Sequence, residues 1–188
     1  MLETILSSFA VVALSEMGDK TQLLAFSLVA RFKKPVPVLA GIFVATILNH
    51  LLAASVGSWV AAQVTPRTIA FVLAAVFIAF GFWTLKPDTL DEDEKKEGKW
   101  GAFVTTTFLF FLVEMGDKTQ LATIALAARY GNILWVTFGT TLGMMFSDGI
   151  AVFLGHKFAH QAQHPLIRWS AAILFFGFGV ASLVSAVR

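Results

Sequence analysis

Long apolar runs separated by short polar breaks dominate this chain, and the pattern predicts helices. Six runs stand out: Ile5–Ala30, Val36–Ala62, Ile69–Leu85, Ala102–Ala128, Ile133–Gly155 and Leu166–Val187. A bilayer core of about 30 Å is crossed by roughly 20 helical residues at 1.5 Å rise each, and every run meets or approaches that length. A spanning β-strand would be shorter and would alternate strictly between apolar and polar positions. The pattern therefore predicts an all-α membrane protein with six transmembrane helices. The only strongly hydrophilic stretch, residues 87–99, separates the third run from the fourth and reads as a solvated linker.

The six runs fall into two sets of three. Glu16-Met17-Gly18-Asp19-Lys20-Thr21-Gln22-Leu23 recurs letter for letter as Glu114-Met115-Gly116-Asp117-Lys118-Thr119-Gln120-Leu121, at an offset of 98 residues. The same offset carries Arg31 onto Arg129, Gly41 onto Gly139, Gly57 onto Gly155, Phe80 onto Phe178 and Gly81 onto Gly179 without a gap. Self-similarity at a fixed period marks an internal duplication. It divides the chain into a first three-helix repeat at residues 1–86, the linker at 87–99 and a second three-helix repeat at 100–188. Because three is odd, the second copy must cross the bilayer in the opposite sense, which makes the predicted fold two inverted repeats.

Charge placement supports that topology. Of the 14 Lys and Arg, nine (Arg31, Lys33, Lys34, Lys86, Lys95, Lys96, Lys99, Lys157 and Arg168) fall on one predicted side. Arg67, Arg129 and Arg188 fall on the other, and Lys20 and Lys118 lie inside runs. The positive-inside rule puts the nine-residue side in the cytoplasm. Both termini are then expected outside and the linker 87–99 inside. Lys33-Lys34 becomes Gly131-Asn132 in the second repeat, where the equivalent loop should face outward.

Composition narrows the class further. Hydrophobic residues make up 57% of the 188 positions and charged residues 14%, against about 45–50% and 25% in soluble domains. Mean hydropathy is +0.76. These values exclude a disordered chain, a nucleic-acid-binding module and an ordinary soluble enzyme. The absence of cysteine excludes disulfides and thiolate metal sites. The first run has no basic leader and carries Glu16, Asp19 and Lys20, so a cleaved signal peptide is not expected. The expected location is a bacterial inner membrane.

The duplicated motif is where the chemistry lies. Glu16 precedes Arg31 by 15 residues, and Glu114 precedes Arg129 by the same number. That is about 22 Å of helix, which puts both motifs near the bilayer midplane. A charge there costs roughly 2.5–3.5 kcal/mol on insertion scales. Six of them, unpaired, exceed the stability of an ordinary domain, about 5–15 kcal/mol. They must meet one another, water or an ion. Helical spacing would put Glu16, Asp19 and Lys20 on one face, and Gly18 and Gly116 permit local unwinding. Paired Gly-interrupted spans at equivalent positions of two halves point to a transporter's binding site. Four carboxylates and two ammonium groups leave a charge of −2, which one divalent cation or two protons would neutralise. Carboxylates, backbone carbonyls and the side-chain oxygens of Thr21, Gln22, Thr119 and Gln120 suit hard ions such as Mg²⁺, Ca²⁺ and Mn²⁺.

Two copies of E-x-G-D-[KR]-[ST], one per three-helix half, resemble the second Ca²⁺:cation antiporter family, which includes bacterial manganese exporters and the Golgi transmembrane protein 165 of animals. The resemblance covers all six runs. It implies secondary active export of a divalent cation, Mn²⁺ first and Ca²⁺ second, in exchange for H⁺. Its metal-site carboxylates carry over onto Glu16, Asp19, Glu114 and Asp117, its basic position onto Lys20 and Lys118, and its hydroxyl position onto Thr21 and Thr119. No resident cofactor is implied, only the transported ion, the counter-ion H⁺ and the lipid bilayer. Two other classes compete: a passive divalent-cation channel, and an intramembrane hydrolase using Asp19 and Asp117 as a dyad. Four clustered carboxylates bind too tightly for a fast channel. A lysine after each aspartate would hold the dyad ionised.

Outside the motifs, Asn49-His50 maps onto Ser147-Asp148. Asp148 is a fifth acid and His50 a titratable group, so both are candidate proton-relay residues. Asn49 and Ser147 suit interhelical hydrogen bonds. His156, His160 and His164 have helical spacing but no closed ligand set, and read as a helix end at the interface. Met17 and Met115 read as lining or packing residues, and Gly41, Gly57, Gly139, Gly143 and Gly155 as sites of close helix packing.

Overall fold

The computed structural model describes residues 1–86, 101–154 and 165–187. These residues form eight helices and no strand. In chain order they are α1 (Leu2–Glu16), α2 (Lys20–Phe32), α3 (Pro35–Gln63), α4 (Pro66–Thr84), α5 (Gly101–Glu114), α6 (Lys118–Tyr130), α7 (Ile133–Leu154) and α8 (Pro165–Val187). The linker 87–99 and His156, His160 and His164 lie outside the described residues.

Four helices, α3, α4, α7 and α8, are long and apolar enough to cross a membrane. The first and fourth apolar runs differ from continuous spans, because each is broken into two helices inside the motif. The cause is local. Gly18 and Gly116 adopt φ of 84° and 80°, a left-handed conformation that glycine alone takes without steric cost. The following Asp19 and Asp117 are extended and stand as N-caps of α2 and α6. Gln22 Oε1 accepts from the Gly18 amide at 3.0 Å and Gln120 Oε1 from the Gly116 amide at 2.7 Å. Each break thus has its own reach-back glutamine, a capping box displaced by one residue.

The exterior is far more apolar than that of a soluble domain, and charged groups sit inside beside the apolar core. Leu2, Leu52, Trp59, Phe82, Phe153, Ile173 and Val180 are exposed, while Glu16, Glu114, Asp148, His50 and Gln22 are buried. Apolar surface on this scale needs a covering. With four long apolar helices, it identifies an integral membrane protein.

The two halves pack through repeat-equivalent contacts. Helix α1 lies against α7 and its counterpart α5 against α3, while α4 packs on α8. A Cβ on Gly41 would stand 2.8 Å from the Phe103 carbonyl oxygen, and one on Gly139 2.6 Å from that of Ile5. Gly41 and Gly139, like Phe103 and Ile5, are 98 residues apart. Phe77 and Phe175, also repeat partners, stack with centroids 6.3 Å apart. The glycines let backbones approach where lipid supplies no hydrophobic drive for helix association.

Candidate metal centre

The broken runs bring their charged ends together in the interior. Glu16 and Glu114 close α1 and α5, Asp19 and Asp117 cap α2 and α6, and all four are buried. The helical-face argument does not account for this meeting, since the chain leaves the helix between Glu16 and Lys20. Tertiary packing does. Lys118 Nζ lies 2.9 Å from Asp19 Oδ2 and Lys20 Nζ lies 3.9 Å from Asp117 Oδ1. Each aspartate therefore pairs with the lysine of the other half.

Carboxylate oxygens of Glu16, Asp19 and Asp117 lie within 4.8 Å of one another. Oxygens on opposite sides of one Ca²⁺ are about 4.6–5.2 Å apart, and somewhat closer around smaller ions. The three oxygens thus span the shell of a single divalent cation. Glu114 is outside that trio but is the charged neighbour acting most strongly on Glu16.

The hydroxyls fix the glutamates. Thr21 donates to Glu16 Oε2, and Thr119 donates to Glu114 Oε2 at 2.9 Å. In both glutamates the second oxygen, Oε1, is buried with no hydrogen-bond partner among the described residues. A buried bare carboxylate oxygen is costly, and a cation or a proton would satisfy it. The glutamine oxygens are instead turned to Gly18 and Gly116, where they hold the breaks.

Asp148 joins the cluster electrostatically, acting on Glu16 and Glu114 and being acted on by Asp19. Both its oxygens are buried without a hydrogen-bond partner among the described residues. His50, at the repeat-equivalent position, is equally buried. Of the two candidate relay residues, Asp148 is the one with an electrostatic tie to the acids of both motifs. Five carboxylates and two ammonium groups then sum to −3 when all are ionised. Asn49 Nδ2 donates to the Phe111 carbonyl at 3.1 Å, tying α3 to α5. Ser147 accepts from Gln22 Nε2 at its carbonyl (2.8 Å) and its hydroxyl (3.1 Å), tying α7 to α2. That anchor, which sets Asp148 beside the first break, was signalled in the sequence only by the offset linking Ser147 to Asn49. Met17 is half-buried beside the first break, whereas Met115 is exposed.

The sequence pattern that defines the family described as Divalent cation/proton antiporter GDT1 matches residues 4–92 and 102–188. A Vibrio cholerae protein provisionally named a manganese exporter is 43% identical over 176 residues, covering 93% of this chain and 88% of that protein. GDT1-like protein 5 of Arabidopsis thaliana is 30% identical over 226 residues, covering 100% of this chain and 98% of the plant protein. A GDT1-like protein of Synechocystis is 30% identical over 206 residues, with 97% of each chain covered. No solved structure matches the chain.

Proposed function

The chain belongs to the GDT1 family of divalent cation/proton antiporters, and on that premise we propose that it exports Mn²⁺, with Ca²⁺ as second substrate, in exchange for H⁺. The family is one of cation transporters, so the hydrolase reading falls. In this proposal the chain spans a bacterial inner membrane six times as two inverted repeats, residues 1–86 and 100–188, with the linker 87–99 in the cytoplasm and both termini outside.

Glu16, Asp19, Glu114 and Asp117 are the proposed ligands. The observation that carries this reading is the crosswise pairing of Asp19 with Lys118 and of Asp117 with Lys20. It draws acids of both halves into one buried group, in which oxygens of Glu16, Asp19 and Asp117 are close enough to share a single ion. Without metal, the lysines act as resident counter-cations. An arriving divalent ion competes with them and with protons for the same oxygens, so metal enters as protons leave. Thr21 and Thr119 orient the glutamates, and Gln22 and Gln120 keep the helices broken, which frees backbone carbonyls of α1 and α5 as further hard ligands. Asp148 would carry protons between this cluster and the exterior. Rocking of one repeat against the other would expose the site to each side in turn.

Uptake into inverted vesicles tests the reading. An imposed proton gradient should drive Mn²⁺ accumulation, Ca²⁺ less and Mg²⁺ least. Flux indifferent to the gradient would make the protein a passive channel, and flux absent for all three ions would end the proposal.

A further inference from the structure

We propose that the cavity where α1 and α4 begin and α6 and α8 end is a binding site for a phospholipid with a phosphoethanolamine headgroup. This cavity, about 630 Å³, is lined by Glu3, Pro66, Ile69, Leu73, Arg129 and Tyr130, together with the serines of α8 named below. None of the acids of the metal centre lines it.

Two opposite charges in its lining are unmatched among the described residues. Arg129 Nη1 donates to Ser182 Oγ at 2.8 Å, and the guanidinium stands 5.6 Å from the Tyr130 ring and 5.5 Å from that of Phe178. Among the described residues no carboxylate pairs with Arg129 and no cation pairs with Glu3, although both line the same cavity. A guanidinium has five N–H donors in a fork suited to phosphate oxygens. Here one is used by a serine, and Ser185 adds a second hydroxyl to the wall. The arrangement offers a phosphate to Arg129, Ser182 and Ser185 and an ammonium to Glu3. A purely anionic headgroup would leave the Glu3 carboxylate unanswered and repelling it. A zwitterion satisfies both.

The apolar walls call for a lipid rather than a soluble zwitterion. Ile69 and Leu73 line the cavity, and Leu2, Leu6, Val184 and Val187 are exposed at the same ends of α1 and α8. Four helix ends meet here, which is where headgroups lie in a bilayer. The duplication repeats only part of this set. At the repeat-equivalent positions Arg129 has Arg31 and Ser182 has Thr84, but Glu3 is replaced by Gly101, Tyr130 by Phe32 and Ser185 by Pro87.

The test is native mass spectrometry of the delipidated full-length protein, titrated separately with phosphatidylethanolamine, phosphatidylglycerol, phosphatidylcholine and free phosphoethanolamine. Phosphatidylethanolamine should bind at least ten-fold more tightly than the other two lipids, whose headgroups lack either a cation or an N–H donor for Glu3. Glu3→Gln, at an exposed position with little risk to folding, should abolish the preference over phosphatidylglycerol. Arg129→Gln, checked for folding by thermal unfolding, should weaken all three lipids ten-fold or more. Equal binding of phosphatidylglycerol by the wild type, or an unchanged preference in Glu3→Gln, overturns the assignment. Displacement of the lipid by an equal concentration of free phosphoethanolamine would identify a soluble ligand and overturn the lipid assignment as well.

Discussion

The two copies of the eight-residue motif are identical in sequence and sit in different surroundings. Lys118 is almost wholly buried and 2.9 Å from Asp19, whereas Lys20 is about one-fifth exposed and 3.9 Å from Asp117. Gln22 is tied to Ser147 on α7. In the other half Asn49, which stands where Ser147 does, turns to Phe111 instead. Beside Lys118, Met115 and Gly116 are exposed, while Met17 and Gly18 are half-buried. Identical residues thus form one tight and one loose pair. Under the proposed exchange, a carrier built from two halves opens to one side at a time, and such a carrier at rest on one side would hold its two copies unequally.

The largest expected effect comes from removing a proposed ligand. Asp19→Asn and Asp117→Asn should each lower gradient-driven Mn²⁺ flux at least 100-fold while the protein still inserts, because the proposed function has both serve one site. Near-wild-type flux in either variant would separate the two motifs and break the comparison.

Lysine substitutions should divide the copies. Lys118→Gln leaves Asp19 buried beside other acids and should destabilise the metal-free protein by about 3–5 kcal/mol, the usual cost of stripping one partner from a buried pair. Lys20→Gln removes a longer, partly exposed contact and should cost about 1 kcal/mol or less. Thermal unfolding in detergent orders them, and the reverse order would mean that the 2.9 Å pair does not define the resting state. Added Mn²⁺ should narrow the gap, since it replaces the missing cation and stabilises by mass action.

The smallest effect concerns the pair 98 residues apart on α3 and α7. Asp148→Asn should lower flux about ten-fold, because a fifth carboxylate leaves the cluster, while His50→Gln should stay within two-fold of wild type. Equal losses would mean that the electrostatic difference between these positions has no bearing on transport.

Much of the architecture was legible along the chain. Hydropathy alone located the four long helices to within a few residues, because a buried or lipid-facing span must be apolar all along. The offset of 98 residues exposed the duplication, and the doubled motif pointed to the family. Gly18 and Gly116 announced where the helices could break. The sequence favoured Asp148 over His50 as a fifth acid, and in the fold Asp148 interacts electrostatically with Asp19. Regular helical spacing also suggested that Glu16 and Lys20 share a face, which the break between them prevents.

What the sequence determined by itself was the cost: charged groups in apolar segments, each too expensive to stand unpaired, and therefore the necessity that they meet something. Only the tertiary structure decided what they meet. The lysine partners of Asp19 and Asp117 lie 99 and 97 residues away in the chain, and no local propensity encodes which lysine reaches which acid. That choice depends on how closely α3 and α7 approach the broken helices, and the approach is set by glycines whose missing side chains matter only once the helices are packed.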